Sequence, residues 1–118
     1  MANSTLVLIA KAPYGLEDAF AGLRLALAMG VNGMKTSVLM MDDGVYNAVG
    51  SQRSDAIGMP SNMEATKELY DFEVPVYVVK EDLAERGIPE TGLFEGLKPV
   101  PASEARKLLA ESDVVTTF

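Results

Sequence analysis

Short apolar runs alternate with longer amphipathic segments along the chain. The runs are too short for typical helices and fit strands that are buried on both faces of a parallel sheet. The strands are predicted at residues 5–10, 35–41, 74–79 and 113–118, with residues 91–100 fitting either a short strand or a loop. The helices are predicted at residues 16–30, 61–72, 81–89 and 101–112. This alternation predicts an α/β domain with right-handed crossovers and a mostly parallel sheet.

The first predicted helix is apolar on two opposite sides. One stripe consists of Leu16, Phe20, Leu23 and Leu27, and the other of Ala21, Leu25, Ala28 and Met29. A helix that is apolar on both sides needs cover on both, and in so small a domain the sheet covers only one of them. We therefore predict that the second stripe lies in an interface with another subunit. The alternative is that small alanines on a solvated face need no cover.

Length and charge narrow the classes of partner. The 118 residues are predicted to form one domain, over 1–118, and they carry a net charge of −7. Because each contact with a nucleic-acid phosphate needs Lys or Arg, this acidity disfavours direct binding to nucleic acids and to anionic membranes. The first 13 residues have no basic region, and their apolar run is too short for a signal peptide or a membrane span. We expect a cytoplasmic protein.

The residue types that are absent exclude several kinds of chemistry. The chain contains no cysteine and no histidine. Disulfides, Cys/His zinc sites, thiol catalysis and imidazole acid–base catalysis are therefore excluded. The loop after the first predicted strand has neither of the glycine-rich phosphate-binding motifs. The adjacent carboxylates of Asp42 and Asp43 supply too few oxygen ligands for a firm Mg²⁺ or Ca²⁺ site, so we expect neither a metal nor a cofactor.

Charged residues follow three of the predicted strands. The carboxyl ends of parallel strands line one edge of a sheet, so these side chains are expected near one another. They are Lys11, Asp42, Asp43 and Lys80, with Tyr14 and Tyr46 in loops at the same edge. Such an edge could bind a small polar ligand or a partner. The plainer interpretation, which we favour, is that the charges are solvated residues and helix caps.

The third predicted strand runs directly into a short helix, a junction at which α/β proteins often place reactive groups. Here the junction consists of Val79, Lys80, Glu81 and Asp82. The two acids offset the positive end of the helix, which would otherwise attract a phosphate or lower the pKa of a thiol. The position suits a reactive group, but these residues suit an ordinary helix start.

Four segments of the chain together resemble the DsrE/DsrF-like family, and within it the branch of TusC and DsrF. They are APYG (12–15), DDGVYNAV (42–49), LAERGI (83–88) and SDVVTTF (112–118). The resemblance implies a three-layer α/β/α sandwich of about five mostly parallel strands, in an order unlike that of flavodoxin. It also implies homotrimers, homohexamers, or hetero-complexes with cysteine-bearing paralogues.

The best-known members of this family pass persulfide sulfur between proteins. The resemblance implies that the active subunit carries its cysteine at the end of the third strand, before the R-G helix. Counting back from Arg86 and Gly87, that place falls on Val79. The leading hypothesis is therefore a non-catalytic subunit of an intracellular sulfur-relay complex. A homo-oligomeric small-molecule-binding protein is the alternative, and an enzyme using lysine or carboxylate chemistry ranks last.

Overall fold

Five strands form one parallel sheet in the computed structural model, which describes residues 4–10, 18–49 and 62–118. The strands are β1 (Ser4–Ile9), β2 (Lys35–Met40), β3 (Val76–Val79), β4 (Lys98–Val100) and β5 (Val114–Thr117). Their order is β4-β3-β2-β1-β5, and each neighbouring pair is parallel. The predicted α/β class and mostly parallel sheet of about five strands are confirmed. The ambiguous stretch 91–100 contains β4, and the order differs from that of flavodoxin.

Four α-helices connect the strands in the described ranges. They are α1 (Asp18–Val31), α2 (Asn62–Tyr70), α3 (Lys80–Glu85) and α4 (Ala102–Glu111). A 3₁₀ helix (Asp42–Ala48) follows β2, and a short 3₁₀ turn (Glu90–Gly92) precedes β4. Tyr46 was predicted in a loop and lies in the 3₁₀ helix instead. Lys80, predicted at a strand end, is the first residue of α3.

The first face of the sheet carries the larger apolar core. It is covered by α1, α2, α3 and the 3₁₀ helix, and the fully buried Leu23, Val45 and Leu69 fill the space above β1, β2 and β3. Along α1 the buried positions are Ala19, Gly22, Leu23 and Ala26, while Phe20 and Leu27 are half-buried. The stripe predicted from Leu16, Phe20, Leu23 and Leu27 therefore faces the sheet, with Leu23 fully buried. Leu16 lies outside the described residues.

The second face of the sheet is covered by α4 alone among the described helices. Its core is smaller and consists of Leu6, Leu39, Val79, Val100 and Ala105. The sheet thus has helices on both faces, as a three-layer α/β/α sandwich requires, but its cover is unequal.

Three of the helices end in the same motif. In each, a residue with positive φ and the residue after it donate N–H bonds back to the last helical turn, as in a Schellman motif. Gly33 (φ 75°) closes α1 and Gly87 (φ 66°) closes α3, as glycine readily adopts this conformation. In α2 the position is held by Glu73 (φ 59°), whose side chain makes this conformation unfavourable.

Candidate functional site

The edge at the carboxyl ends of β2 and β3 brings the 3₁₀ helix against α3. The backbone N–H of Asp42 donates to Asp82 Oδ2 at 2.7 Å. Arg86 Nε donates to Asp43 Oδ1 at 3.1 Å, and its Nη1 donates to the carbonyl of Asp82 at 3.2 Å. The predicted acids are therefore used in contacts between two elements of the fold.

Arg86 is the side chain at this edge whose role was missed from the sequence. Its hydrogen bond to Asp43 raises the pKa of its guanidinium, partial desolvation lowers it, and the charges of Asp43, Asp82 and Tyr46 add to the rise. Arg86 belongs to the LAERGI segment, so that segment was a signal that this arginine is important. Its partner lies 43 residues earlier, so only the fold shows what it contacts.

The remaining residues predicted at this edge are less closely joined. Lys80 is exposed, and within the described ranges it forms no ion pair. Tyr46 is 38% exposed on the 3₁₀ helix and is open to a partner. Lys11 and Tyr14 lie outside the described residues. The edge therefore presents Lys80 and Tyr46 to solvent, beside a polar network formed by Asp42, Asp43 and α3.

The two acids at the start of α3 stabilise neighbouring elements. Glu81 Oε1 accepts a hydrogen bond from the N–H of Ala102 at 2.9 Å, satisfying a free donor at the start of α4. Asp82 holds the 3₁₀ helix through Asp42. No side chain caps α3 itself, since its N-cap is Val79. The charges at this junction therefore connect α3 to the elements on either side.

Val79, the position that matches the family cysteine, is a core residue. Its side chain is 3% exposed and belongs to the cluster beneath α4, with Leu6, Leu39 and Val100. It ends β3 with extended backbone angles (φ −77°, ψ 119°) and is the N-cap of α3, which begins at Lys80. Hydrocarbon therefore fills the place at which the resemblance implies a sulfur carrier.

Two residues that were not singled out from the sequence, Gly44 and Asn47, fix the position of the 3₁₀ helix. Gly44 lies against the backbone of β1, where an added Cβ would overlap the carbonyl oxygen of Ile9 and lie 2.6 Å from its carbon. Asn47 is fully buried and its Nδ2 donates to the carbonyl of Gly44 at 2.9 Å. Both belong to the DDGVYNAV segment. That segment therefore forms the 3₁₀ helix and allows it to pack closely against β1.

The outer face of α1 is open in the single chain. Ala21 and Ala28 are exposed, Leu25 is 36% exposed and Met29 is half-buried. These residues were predicted to form an interface, and that remains a prediction. Their position leaves them available to a partner.

Within residues 4–10, 18–49 and 62–118, no helix has the length and apolar character needed to cross a membrane. In the same part of the chain, no group of three or more acidic residues is placed to hold a metal ion.

Comparison with known proteins places these features in a family. The model of the DsrE/DsrF-like family matches residues 3–118. An uncharacterised protein of Methanocaldococcus jannaschii is 32% identical over 112 residues, covering 95% of this chain and 96% of the relative. The intracellular sulfur oxidation protein DsrF of Allochromatium vinosum is 30% identical over 123 residues, covering 92% and 90%. Protein TusC of Shigella flexneri is 31% identical over 110 residues, covering 91% and 92%.

A solved structure has the same fold as this chain. The ychN protein of E. coli superposes with a TM-score of 0.83 at 27% identity, and the match covers 100% of both chains. The family model spans nearly the whole chain, and the sheet and helices agree with a solved fold. The chain therefore belongs to the DsrE/DsrF-like family.

Proposed function

We propose that this chain is a non-catalytic subunit of a cytoplasmic sulfur-relay complex, joined to a cysteine-bearing relative. The proposal is supported by the similarity to an intracellular sulfur oxidation protein and to TusC. The observation that carries it is the chemistry of position 79. A buried valine stands where the family resemblance implies a cysteine.

A persulfide relay needs a thiolate that attacks the outer sulfur of a donor persulfide, so that one S–S bond forms as another breaks. This chain has no cysteine at any of its 118 positions, and therefore cannot be the covalent carrier at any stage. Its contribution must come from shape and contact surface. A subunit of this kind would hold or cover the cysteine of its neighbour.

The outer face of α1 is the surface that we assign to this contact. Ala21, Ala28 and Leu25 present small and medium apolar side chains, which allow another backbone to approach closely. Singly exposed apolar residues are ordinary on protein surfaces, but these form one stripe on one helix. The stripe supports an interface on this side of the molecule.

The alternative of a small-molecule-binding protein draws less support from the carboxyl edge. Of the two acids predicted to hold a polar ligand there, Asp43 is already paired with Arg86, and Asp42 is held through its backbone N–H by Asp82. A ligand that used Asp43 would have to displace Arg86, and among the described residues of this edge the exposed side chains of Asp42 and Lys80 are the charges left for it. Because Asp43 is paired with Arg86, the case for catalysis by a lysine or a carboxylate at this edge is also weaker.

The test is co-expression of the chain with each cysteine-bearing relative from its own host, followed by native mass spectrometry of the purified assembly. We expect a hetero-complex in which the relative is identified by its mass. Leu25→Glu should weaken that complex at least tenfold, because it places a charge in an apolar contact. Ala110→Glu on the exposed side of α4 is the matched control and should leave the complex intact.

Two outcomes would contradict the proposal. One is a stable homo-oligomer that takes up none of the cysteine-bearing relatives, a result that would favour the small-molecule-binding alternative. The other is a hetero-complex that Leu25→Glu and Ala110→Glu affect equally, which would show that the contact does not lie on the outer face of α1.

A further inference from the structure

The turn that ends α1 contains the dipeptide Asn32-Gly33, the one Asn-Gly sequence in the chain. Both residues are exposed, and Gly33 has a φ of 75° with no atom within 4 Å of the place where a Cβ would stand. An asparagine followed by glycine is chemically labile, because glycine has no side chain to hinder an attack by its backbone nitrogen. The exposed position also lets water and hydroxide reach the dipeptide.

The reaction open to this dipeptide is deamidation through a succinimide. The backbone nitrogen of Gly33 gives up its proton to hydroxide and attacks Cγ of Asn32, so that a new C–N bond forms while the bond from Cγ to Nδ2 breaks. Nδ2 leaves as ammonia, taking its third proton from water. A water molecule then opens the ring at either carbonyl, which yields aspartate or isoaspartate at position 32. One water is consumed and one ammonia is released, and no oxidant, reductant or cofactor takes part.

Both reacting groups are held by hydrogen bonds while the turn is closed. Nδ2 of Asn32 donates to the carbonyl of Ala28 at 2.7 Å, and the N–H of Gly33 donates to the carbonyl of Gly30 at 3.0 Å. The first bond directs the side-chain amide back along the helix, and the second keeps on Gly33 the proton that it must lose. The reaction therefore requires the last turn of α1 to open, a local event that costs less free energy than unfolding the domain.

The surroundings of the turn favour such local opening. Gly30, Gly33 and Met34 line a cavity of about 550 Å³ at the amino ends of β2 and β3, so space borders the turn on this side. Val31 and Met34, which flank the dipeptide, are 56% and 48% exposed. Few buried apolar contacts are therefore lost when the turn opens.

We propose that Asn32 is a modification site, which deamidates when the last turn of α1 opens and whose product then keeps that turn from closing. A carboxylate at position 32 has no proton to donate to the carbonyl of Ala28, and its charge lies at the negative end of the helix dipole. Isoaspartate also adds a methylene to the backbone, which displaces the N–H groups of Gly33 and Met34 from their acceptors. The modification therefore removes the bonds that restrained it.

The turn that opens also carries the end of the outer face of α1. The carbonyls of Ala28 and Met29 accept the bonds from Asn32 and Met34, and the side chains of Ala28 and Met29 are the last two of the outer stripe. A loosened turn no longer holds these two side chains in place, so modified chains should bind a relative more weakly through this face. That consequence rests on the proposed function, whereas the modification and its effect on the fold do not.

Peptide mapping of aged protein tests the modification. The wild-type chain is incubated at mildly alkaline pH, both folded and in urea, and mass spectrometry of its peptides with electron-transfer fragmentation locates aspartate and isoaspartate. In the folded chain we expect both products at position 32 and none at Asn47, which is fully buried and precedes alanine. Two hydrogen bonds restrain the reaction, so the folded chain should react about thirtyfold more slowly than the chain in urea. Asn32→Gln, whose longer side chain closes the ring poorly, should stay unmodified.

Two further measurements test the restraint and the consequence separately. The protection of the Gly33 amide against hydrogen exchange should match the ratio of the two deamidation rates, because the same opening controls both. Asn32→Asp, which imitates one product, should lower the equilibrium constant for folding about fivefold, and the neutral Asn32→Gln should lower it less. The proposal is overturned if position 32 stays unmodified in the folded chain for longer than that protection allows, or if the folded and unfolded chains react equally fast. It is equally overturned if Asn32→Asp is as stable as the wild type. All of these measurements use the single chain, so their failure is distinct from failure of the proposed complex.

Discussion

The burial of Val79 can be tested by placing a thiol there. Val79→Cys introduces the only cysteine of the chain, so any thiol reaction reports on this position alone. Cysteine is close to valine in size and the site is apolar, so we expect the variant to fold. The neighbouring Lys80→Cys, which is exposed, provides the matched control.

The expected difference in rate follows from the cluster around Val79. A reagent reaches the sulfur only when α4 moves away from the sheet, which uncovers several of the buried side chains of that cluster, Leu6, Leu39 and Val100 among them. Uncovering two such side chains costs about 3 kcal/mol, and each 1.4 kcal/mol is a factor of ten in population. Val79→Cys should therefore react at least a hundredfold more slowly than Lys80→Cys. Burial in hydrocarbon also raises the pKa of a thiol, which slows the reaction further.

The assay is the pseudo-first-order rate of reaction with Ellman's reagent at neutral pH, with denatured protein as the reference for a free thiol. If Val79→Cys reacts within tenfold of Lys80→Cys in the folded protein, the description of position 79 as a closed apolar site is wrong. A slow reaction would mean that one substitution cannot convert this chain into a sulfur carrier.

Three further predictions concern the backbone at Gly44 and Glu73 and the half-buried phenol of Tyr70. Gly44→Ala should destabilise the fold by about 3 kcal/mol in a urea titration, because its Cβ would overlap the Ile9 carbonyl. Glu73→Gly should stabilise it by about 0.5–1 kcal/mol by relieving a positive φ, whereas Gly33→Ala, which has the same geometry and no atom within 4 Å of the new Cβ, should destabilise it by about 1 kcal/mol. Burial raises the pKa of Tyr70 to about 12, so an ultraviolet titration should show one tyrosine ionising last, and the fold should lose stability as pH rises from about 10 towards that value, since the unfolded tyrosine ionises first.

Each of these predictions has a control or a contrary result. Gly92→Ala meets no atom closer than 3.7 Å and should have little effect, so equal losses at both glycines would refute the steric argument for Gly44. The argument for Glu73 fails if glycine there lowers the free energy of unfolding. Tyr70→Phe should abolish the late ionisation, and its persistence would assign that ionisation to another tyrosine.

The order of strands and helices was readable from the sequence because each element is consistent with its local pattern. Continuous apolar runs marked β1, β2 and β3, and Gly87 marked the end of α3. The first helix was predicted to end at Gly30, but α1 continues to Val31 and is closed by Gly33. The stretch around β4 was ambiguous because Lys98 and Pro99, which protect an edge, also weaken the signature of a strand. The family resemblance supplied the layer structure that periodicity alone does not give.

The contacts of the candidate site were less accessible to sequence reasoning. Asp42 and Asp82 are 40 residues apart, and nothing local indicates that the N–H of one meets the carboxylate of the other. The acids after Val79 were correctly placed at a helix start, but their partners, Asp42 and Ala102, lie on other elements. The backbone strain at Glu73 was also invisible, because glutamate there carries no signal for a positive φ.

The pairing of β1 with β5 has a consequence for the order of folding. The residues that close it, Ser4 and Asp113, are 109 positions apart in the sequence, while β1, β2 and β3 pair through shorter connections. Closing a loop of that length costs about 4 kcal/mol of chain entropy, so we expect β5 to join the sheet last. Pulsed hydrogen exchange during refolding would show this as late protection of Thr116. Until that step, β1, which is central in the finished sheet, is itself an unprotected edge, and a chain emerging from the ribosome carries that exposed strand until β5 has been made.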